Sequence, residues 1–223
     1  MGILTVIVLT LMTVATFWLL YHSRMILPRQ LDERTLESVK AFGIAVELRF
    51  PSHQGLSKRV ISLSGAVARH MGLSAEAKRD LELAGRLRDI GMCAVPYRLV
   101  NSLSPSEWNV ADKARYMGHA DVSGSMLEQI PELSRLASAV KYHHARFDGA
   151  DDPSAPCGSK LPMSARILKV VADFVWYERI QGSLIAREIL KAGRGTAYCP
   201  QAADALLTVL TSARVEQREP SLV

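Results

Sequence analysis

Residues Ile3 to Tyr21 carry no charged side chain and are filled with Leu, Ile, Val, Phe and Trp. That run constrains the fold more than any other feature of the chain, because an apolar helix of this length matches the roughly 30 Å hydrocarbon core of a bilayer. A cleaved signal peptide fits less well: no basic residue precedes the run, the apolar stretch is long, and no small-x-small cleavage site follows it. Trp18 and Tyr21 stand where an interfacial aromatic belt is expected, and Arg24 and Arg29 follow with no Lys or Arg ahead. By the positive-inside rule the rest of the chain then lies in the cytoplasm. The expectation is a single-pass anchor over residues 1–23.

Beyond the anchor the apolar positions keep a helical period. Leu36, Val39, Phe42, Val46 and Phe50 recur at three and four residues, and so do Leu56, Val60, Leu63 and Val67, which run up to Gly72. Ser74 is placed to cap a helix carrying Leu81 and Leu87, and Ser104-Pro105-Ser106-Glu107 has the form of a capping box with proline at the first helical position. Leu133, Leu136 and Val140 form a further stripe; Pro162 opens a helix carrying Ile167, Val170, Val171 and Phe174; Ser183 to Lys191 and Pro200 to Leu210 follow. No alternating strand pattern of useful length occurs, so the expected class is all-α. With 223 residues, 48% of them hydrophobic, one domain can follow the anchor. The expected divisions are a juxtamembrane helix over 24–50, a helical domain over 51–212 and a polar tail over 213–223.

Charge and cysteine content exclude several functions. The net charge of +5 is scattered with no run of four Lys or Arg, which argues for a solvated surface near an acidic leaflet and against nucleic acid. Cys93, Cys157 and Cys199 are far apart and form no C-x-x-C, so neither a disulfide framework nor a thiolate zinc site is indicated. Chemistry has to come from polar residues on apolar faces. His143 and His144 extend the Leu133, Leu136, Val140 stripe, so at least one should point inward. Asp89 follows an apolar helix, where a buried carboxylate needs a metal or a cation beside it.

The order of motifs resembles an HD-GYP domain, the cyclic di-GMP phosphodiesterase branch of the HD superfamily. The residues that carry the resemblance span roughly 31–210. They are Glu47-Leu48-Arg49, Gly55-Leu56-Ser57-Lys58-Arg59-Val60, Leu87-Arg88-Asp89-Ile90-Gly91, Val95-Pro96, His119, Ile130-Pro131-Glu132-Leu133, His143-His144, Arg146-Phe147-Asp148-Gly149, Leu161-Pro162-Met163 through Ile167, and Gly195-Thr196. The resemblance implies an HD-domain-like helical bundle holding two or three metal ions, usually iron or manganese, that activate a water for attack on a phosphodiester. Carried over position by position, it implies metal ligands at Glu47, Asp89, His119, His143 and His144, with Asp89 the catalytic candidate if the chain is active.

The departures weigh as much as the matches. Against the family pattern, histidines are replaced by Leu56 and Arg88, the bridging aspartate aligns on Ala172, the lysine after Ile-Gly is Met92, and the Gly-Tyr-Pro signature is reduced to Asp151-Asp152-Pro153. Asp173 adjoins Ala172 and fits that role only if the helix register slips by one residue, a turn of about 100°. A guanidinium near a divalent cation repels it, whereas Arg88 paired with Asp89 or Glu47 compensates the acidic pocket without metal. The leading expectation is therefore a degenerate, non-hydrolysing regulatory module at the inner membrane, needing no cofactor and working through a protein partner. The alternatives are a phosphohydrolase with a reduced iron or manganese site, and a metal-free cyclic dinucleotide receptor using Arg88, Arg146 and Lys160 for phosphate.

Overall fold

The computed structural model describes residues 2–50, 54–102 and 105–216. It divides into two compact units, Met1–Ala41 and Phe42–Val223, and the division falls inside the segment expected to be juxtamembrane. In the first unit, α1 (Ile3–Tyr21) buries no residue and has no acidic or basic side chain in its end turns. A single π turn, His22–Ile26, follows it, closed by the Leu27 N–H on the His22 carbonyl. The next helix, α2 (Leu27–Arg49), takes the chain from the first unit to Phe50.

Nine further helices occur among the described residues of the second unit: α3 (Leu56–His70), α4 (Ala75–Leu87), α5 (Tyr97–Asn101), α6 (Val110–Met117), α7 (His119–Glu128), α8 (Ala137–Lys141), α9 (Met163–Gln181), α10 (Ser183–Ala192) and α11 (Pro200–Glu216). The β pairing among the described residues is one isolated bridge between Arg194 and Tyr198. The all-α expectation holds. Helix α9 is the central post, with Ala165, Ile167, Leu168, Val170, Val171, Phe174 and Val175 buried, and α3, α4, α8, α10 and α11 pack on it. A polar strip on this helix, Lys169 and Asp173, faces elsewhere; the two pair at 2.9 Å.

Local chemistry explains the helix ends. Ser74 caps α4 by accepting from the Ala77 N–H at 3.1 Å. At the end of α3, Gly72 has φ 68°, and the Gly72 and Leu73 N–H groups bond back to the Arg69 and Ala68 carbonyls at 3.1 and 3.0 Å. That is the left-handed stop which glycine makes without a Cβ penalty. The capping box expected at Ser104 falls partly outside the described residues. Pro105–Glu107 is a single 3-10 turn, and Ser104 lies outside the described residues. A capping box stands five residues later, where Asn109 and Asp112 exchange side-chain-to-backbone bonds at the start of α6. The Leu133, Leu136, Val140 stripe is buried as expected but is not one helix: a 3-10 turn, Ser134–Leu136, leads into the five-residue α8. Helix α11 continues through Glu216, past the boundary at 213 expected for the tail; residues 217–223 lie outside the described set.

Candidate functional site

Three turns are pressed together by two glycines. Arg88 and Asp89 form the turn after α4, and a 3-10 turn, Ile90–Ala94, follows. A Cβ on Gly91 would lie 2.2 Å from the His119 carbonyl oxygen and 2.7 Å from the Ser123 nitrogen, so α7 can sit on this turn only because residue 91 has no side chain. The Gly91 N–H donates to Ser123 Oγ at 2.8 Å and locks the approach. Gly124 does the same on the other side of α7: a Cβ there would meet the Lys141 Cβ at 2.8 Å. Helix α8 therefore lies close enough to deliver His143 and His144, in the turn beyond its end, to His119 at the start of α7.

The outcome is a cluster in which the candidate metal-binding atoms of His119, His143 and His144 all lie within 4.8 Å of one another. Asp89 Oδ1 is 3.5 Å from His119 Nε2 and 3.8 Å from His143 Nε2. The backbone fixes the two imidazoles. His119 Nδ1 bonds to the Tyr116 carbonyl at 2.5 Å and His143 Nδ1 to the Val140 carbonyl at 2.6 Å. A carbonyl only accepts, so each Nδ1 carries the hydrogen, and in the neutral ring Nε2 keeps its lone pair. Both Nε2 atoms are buried and have no hydrogen-bond partner. Burial, and then His119, push His143 down to about 3; burial and His143 hold His144 well below its ordinary value. Burial raises the Asp89 carboxyl, but Arg88 and the two imidazoles outweigh it and hold the group far below the usual carboxylate range.

Arg88 occupies the second face of that carboxylate. It is 6% exposed; its Nη2 lies 2.7 Å from Asp89 Oδ2, and its Nη1 donates to the Gly85 carbonyl at 2.7 Å. The expected pairing with Asp89 is thus present, while Glu47 stands apart, accepting from the Ser57 N–H at 2.9 Å. Beside the cluster is a cavity of about 440 Å³. Arg88, Asp89, His143, His144 and Asp173 supply its polar lining, and Leu56, Val60, Val100, Ala172 and Val175 its aliphatic one. Trp108, Tyr116 and Trp176 complete the wall.

Other candidate residues lie away from the cluster or are already engaged. Arg146 and Lys160 do not line this cavity: the Arg146 guanidinium forks onto Asp148 at 2.9 and 2.6 Å, and Lys160 is exposed on a 3-10 turn. Asp173 reaches the wall without any slip of α9, but its Oδ2 is held by Lys169 and by the Tyr198 hydroxyl at 3.0 Å. Met92 packs with Phe50, Val95 and Leu99 in a satellite core, so this position is filled by apolar packing. The aromatic wall went unread in the sequence, although Trp108 and Tyr116 adjoin a capping signal and a motif histidine.

Residues 43–192 match the family model described as the HD domain. The chain belongs to that family. Among curated proteins, this HD-domain chain is 30% identical over 187 residues to the cyclic di-GMP phosphodiesterase response regulator RpfG of Xanthomonas campestris pv. campestris, covering 80% of the chain and 49% of the relative. It is 30% identical over 121 residues to a cyclic di-GMP phosphodiesterase of Thermotoga maritima, covering 53% and 32%. It therefore spans about half, or less, of the length of these relatives. A solved cyclic GMP-AMP specific phosphodiesterase of Vibrio cholerae, V-cGAP3, superposes with a TM-score of 0.65 at 14% identity over 81% of this chain and 50% of that one. Bd1817 of Bdellovibrio bacteriovorus superposes at 0.58 with 17% identity, over 70% and 51%. At such identities the superpositions establish the shared HD fold.

Whether the HD-domain residues suit a metal is answered by the orphaned acceptors. His119, His143, His144 and Asp89 Oδ1 offer a compact donor set for one divalent cation. Among the described residues no second donor set adjoins it: of the cavity-lining positions, Leu56 and Ala172 are aliphatic and Arg88 is a cation.

Proposed function

We propose that the chain is a membrane-anchored, degenerate HD-GYP-like domain that does not hydrolyse cyclic dinucleotides and acts as a regulatory module toward a protein partner. The relatives supply the signalling context. One observation carries the loss of hydrolysis: the Arg88 guanidinium lies 2.7 Å from the Asp89 carboxylate, at the place where a multinuclear centre needs another ligand. A cation bound to the four remaining donors supplies Lewis acidity and lowers the pKa of a coordinated water. Asp89 shares its charge with Arg88, and the fixed imidazoles orient their lone pairs; neither arrangement builds the second metal position on which an in-line clamp depends. The full exposure of α1 and its lack of charge support residues 3–21 as the inner-membrane anchor.

The test is metal analysis of the full chain in detergent, together with turnover of cyclic di-GMP. We expect no more than one iron or manganese per chain and no turnover; turnover with two ions per chain overturns the reading. The four converging donors favour a second reading, a mononuclear phosphohydrolase. It requires Asp89→Ala to abolish metal binding and phosphoester hydrolysis together, and hydrolysis that survives in that variant removes it.

A further inference from the structure

We propose that the outer face of the last turns of α2 docks a second copy of this chain, with the two α2 helices parallel and in register about a two-fold axis. The inference rests on the membrane-anchored reading above. It starts from two opposite faces of one helix. At about 100° per residue, Gly43, Val46 and Phe50 lie on one side of α2. That side is covered within the domain. A Cβ on Gly43 would lie 3.1 Å from the Arg86 carbonyl oxygen, and Val46 packs against Phe50, Met92, Val95 and Leu99.

Ala41, Ile44, Ala45 and Leu48 fall on the opposite side, within an arc of about 100°. All four are exposed, Ile44 at 58% and Leu48 at 66%, and Phe42 beside them is 59% open. A helix on the surface of a globular domain keeps its outer side polar, and one that is apolar on both sides is covered on both. Earlier in the helix the same arc carries Arg34 and Glu37, so the apolar stretch is confined to the end of α2 that is docked on the domain.

Charge and attachment select a second copy as the cover. A parallel two-fold contact sets each residue near the axis against its own counterpart, so a charge there would meet its like. Ala41, Ile44, Ala45 and Leu48 carry none, and the two alanines are small enough for the helix backbones to approach. Two identical chains inserted in one bilayer in the same direction carry this face at the same depth and with the same polarity. A few turns of helix bury less than the roughly 800 Å² per partner of a typical stable complex, and confinement of both anchors to one membrane offsets that shortfall through effective concentration. Through Gly43 and Arg86 the paired helix abuts the end of α4 that leads into Arg88 and Asp89.

Disulfide trapping in bacterial membranes tests this on the full chain carrying Cys93→Ser and Cys157→Ser, both exposed positions. Ala41→Cys and Ala45→Cys should each give an oxidant-dependent band at twice the chain mass, at least tenfold stronger than Glu188→Cys, an exposed position on α10. Should one of the two misfold, the other carries the test. Adding Leu48→Glu places like charges across the axis and should cut the cross-link at least tenfold, while thermal unfolding stays unchanged because Leu48 is open to solvent in the single chain. The inference is overturned if neither position cross-links, if Glu188→Cys cross-links as strongly, if the band has the mass of a mixed complex, or if it survives Leu48→Glu. A membrane-held chain without the cross-link removes this inference alone, whereas recovery of the chain in the soluble fraction removes the anchored reading beneath it.

Discussion

At Arg88 a buried guanidinium pairs with the Asp89 carboxylate, and its energetic role can be measured. Removing one partner of a buried ion pair costs about 3–5 kcal/mol, and about 2 kcal/mol is expected here for Arg88→Ala because roughly a quarter of Asp89 is open to solvent. Urea unfolding of the full chain in detergent reads that loss. Arg88→His places an imidazole beside Asp89, and metal analysis should then find more iron or manganese per chain than in the parent. His143 adds a pH dependence. Its folded value of about 3 lies below the ordinary value of 6.5, so between the two the unfolded chain binds a proton that the folded chain does not. Stability in chelator should be full above pH 6.5 and should fall steadily as the pH drops toward 3, with Asp89 adding to the loss once its unfolded carboxyl begins to protonate. A urea midpoint that stays level from pH 7 to 5 contradicts this. The polar half of the site was legible in the sequence, because Asp89, His119, His143 and His144 stand in motifs whose order survives. The aromatic half was not: Trp108, Tyr116 and Trp176 meet only through tertiary packing, and their spacing carries no period that points to a common wall.

Among the elements, the contacts of α7 decide whether a site exists. Gly91→Ala places a methyl group against the His119 carbonyl and the Ser123 backbone nitrogen, atoms of the helix backbone that cannot rotate away. Overpacking typically costs about 1–3 kcal/mol, and the upper end is expected here. Thermal unfolding should show it, and imidazole NMR shifts of His119 should move with it. Asn109→Ala, by contrast, removes a partly buried capping box at the start of α6 and should cost about 1 kcal/mol without touching the histidine resonances. The long helices α3, α9 and α11 could be read from apolar period and end signals alone. The short pieces around α5, α6 and α8 could not, because a five-residue helix shows too little period and its boundaries are set by neighbours such as Gly124.

For the whole molecule the outstanding matter is topology. If residues 3–21 span the inner membrane, the chain stays in the pellet after alkaline carbonate extraction of bacterial membranes. Cys93 and Cys157, free and exposed, then report on sidedness. A membrane-impermeant maleimide should label them in permeabilised cells and not in intact ones; labelling in intact cells reverses the orientation given by Arg24 and Arg29. The fold class and the long apolar helix Ile3–Tyr21 followed from composition and period over tens of residues, where local errors average out. The division between Ala41 and Phe42 did not, since the helical period runs through it unbroken. The guanidinium beside Asp89 has one more consequence at this scale. A counter-charge carried by the polypeptide is synthesised with it in fixed proportion and cannot be lost to a siderophore or diluted by scarcity, so a cell starved of iron should hold this domain at the same abundance as a replete one.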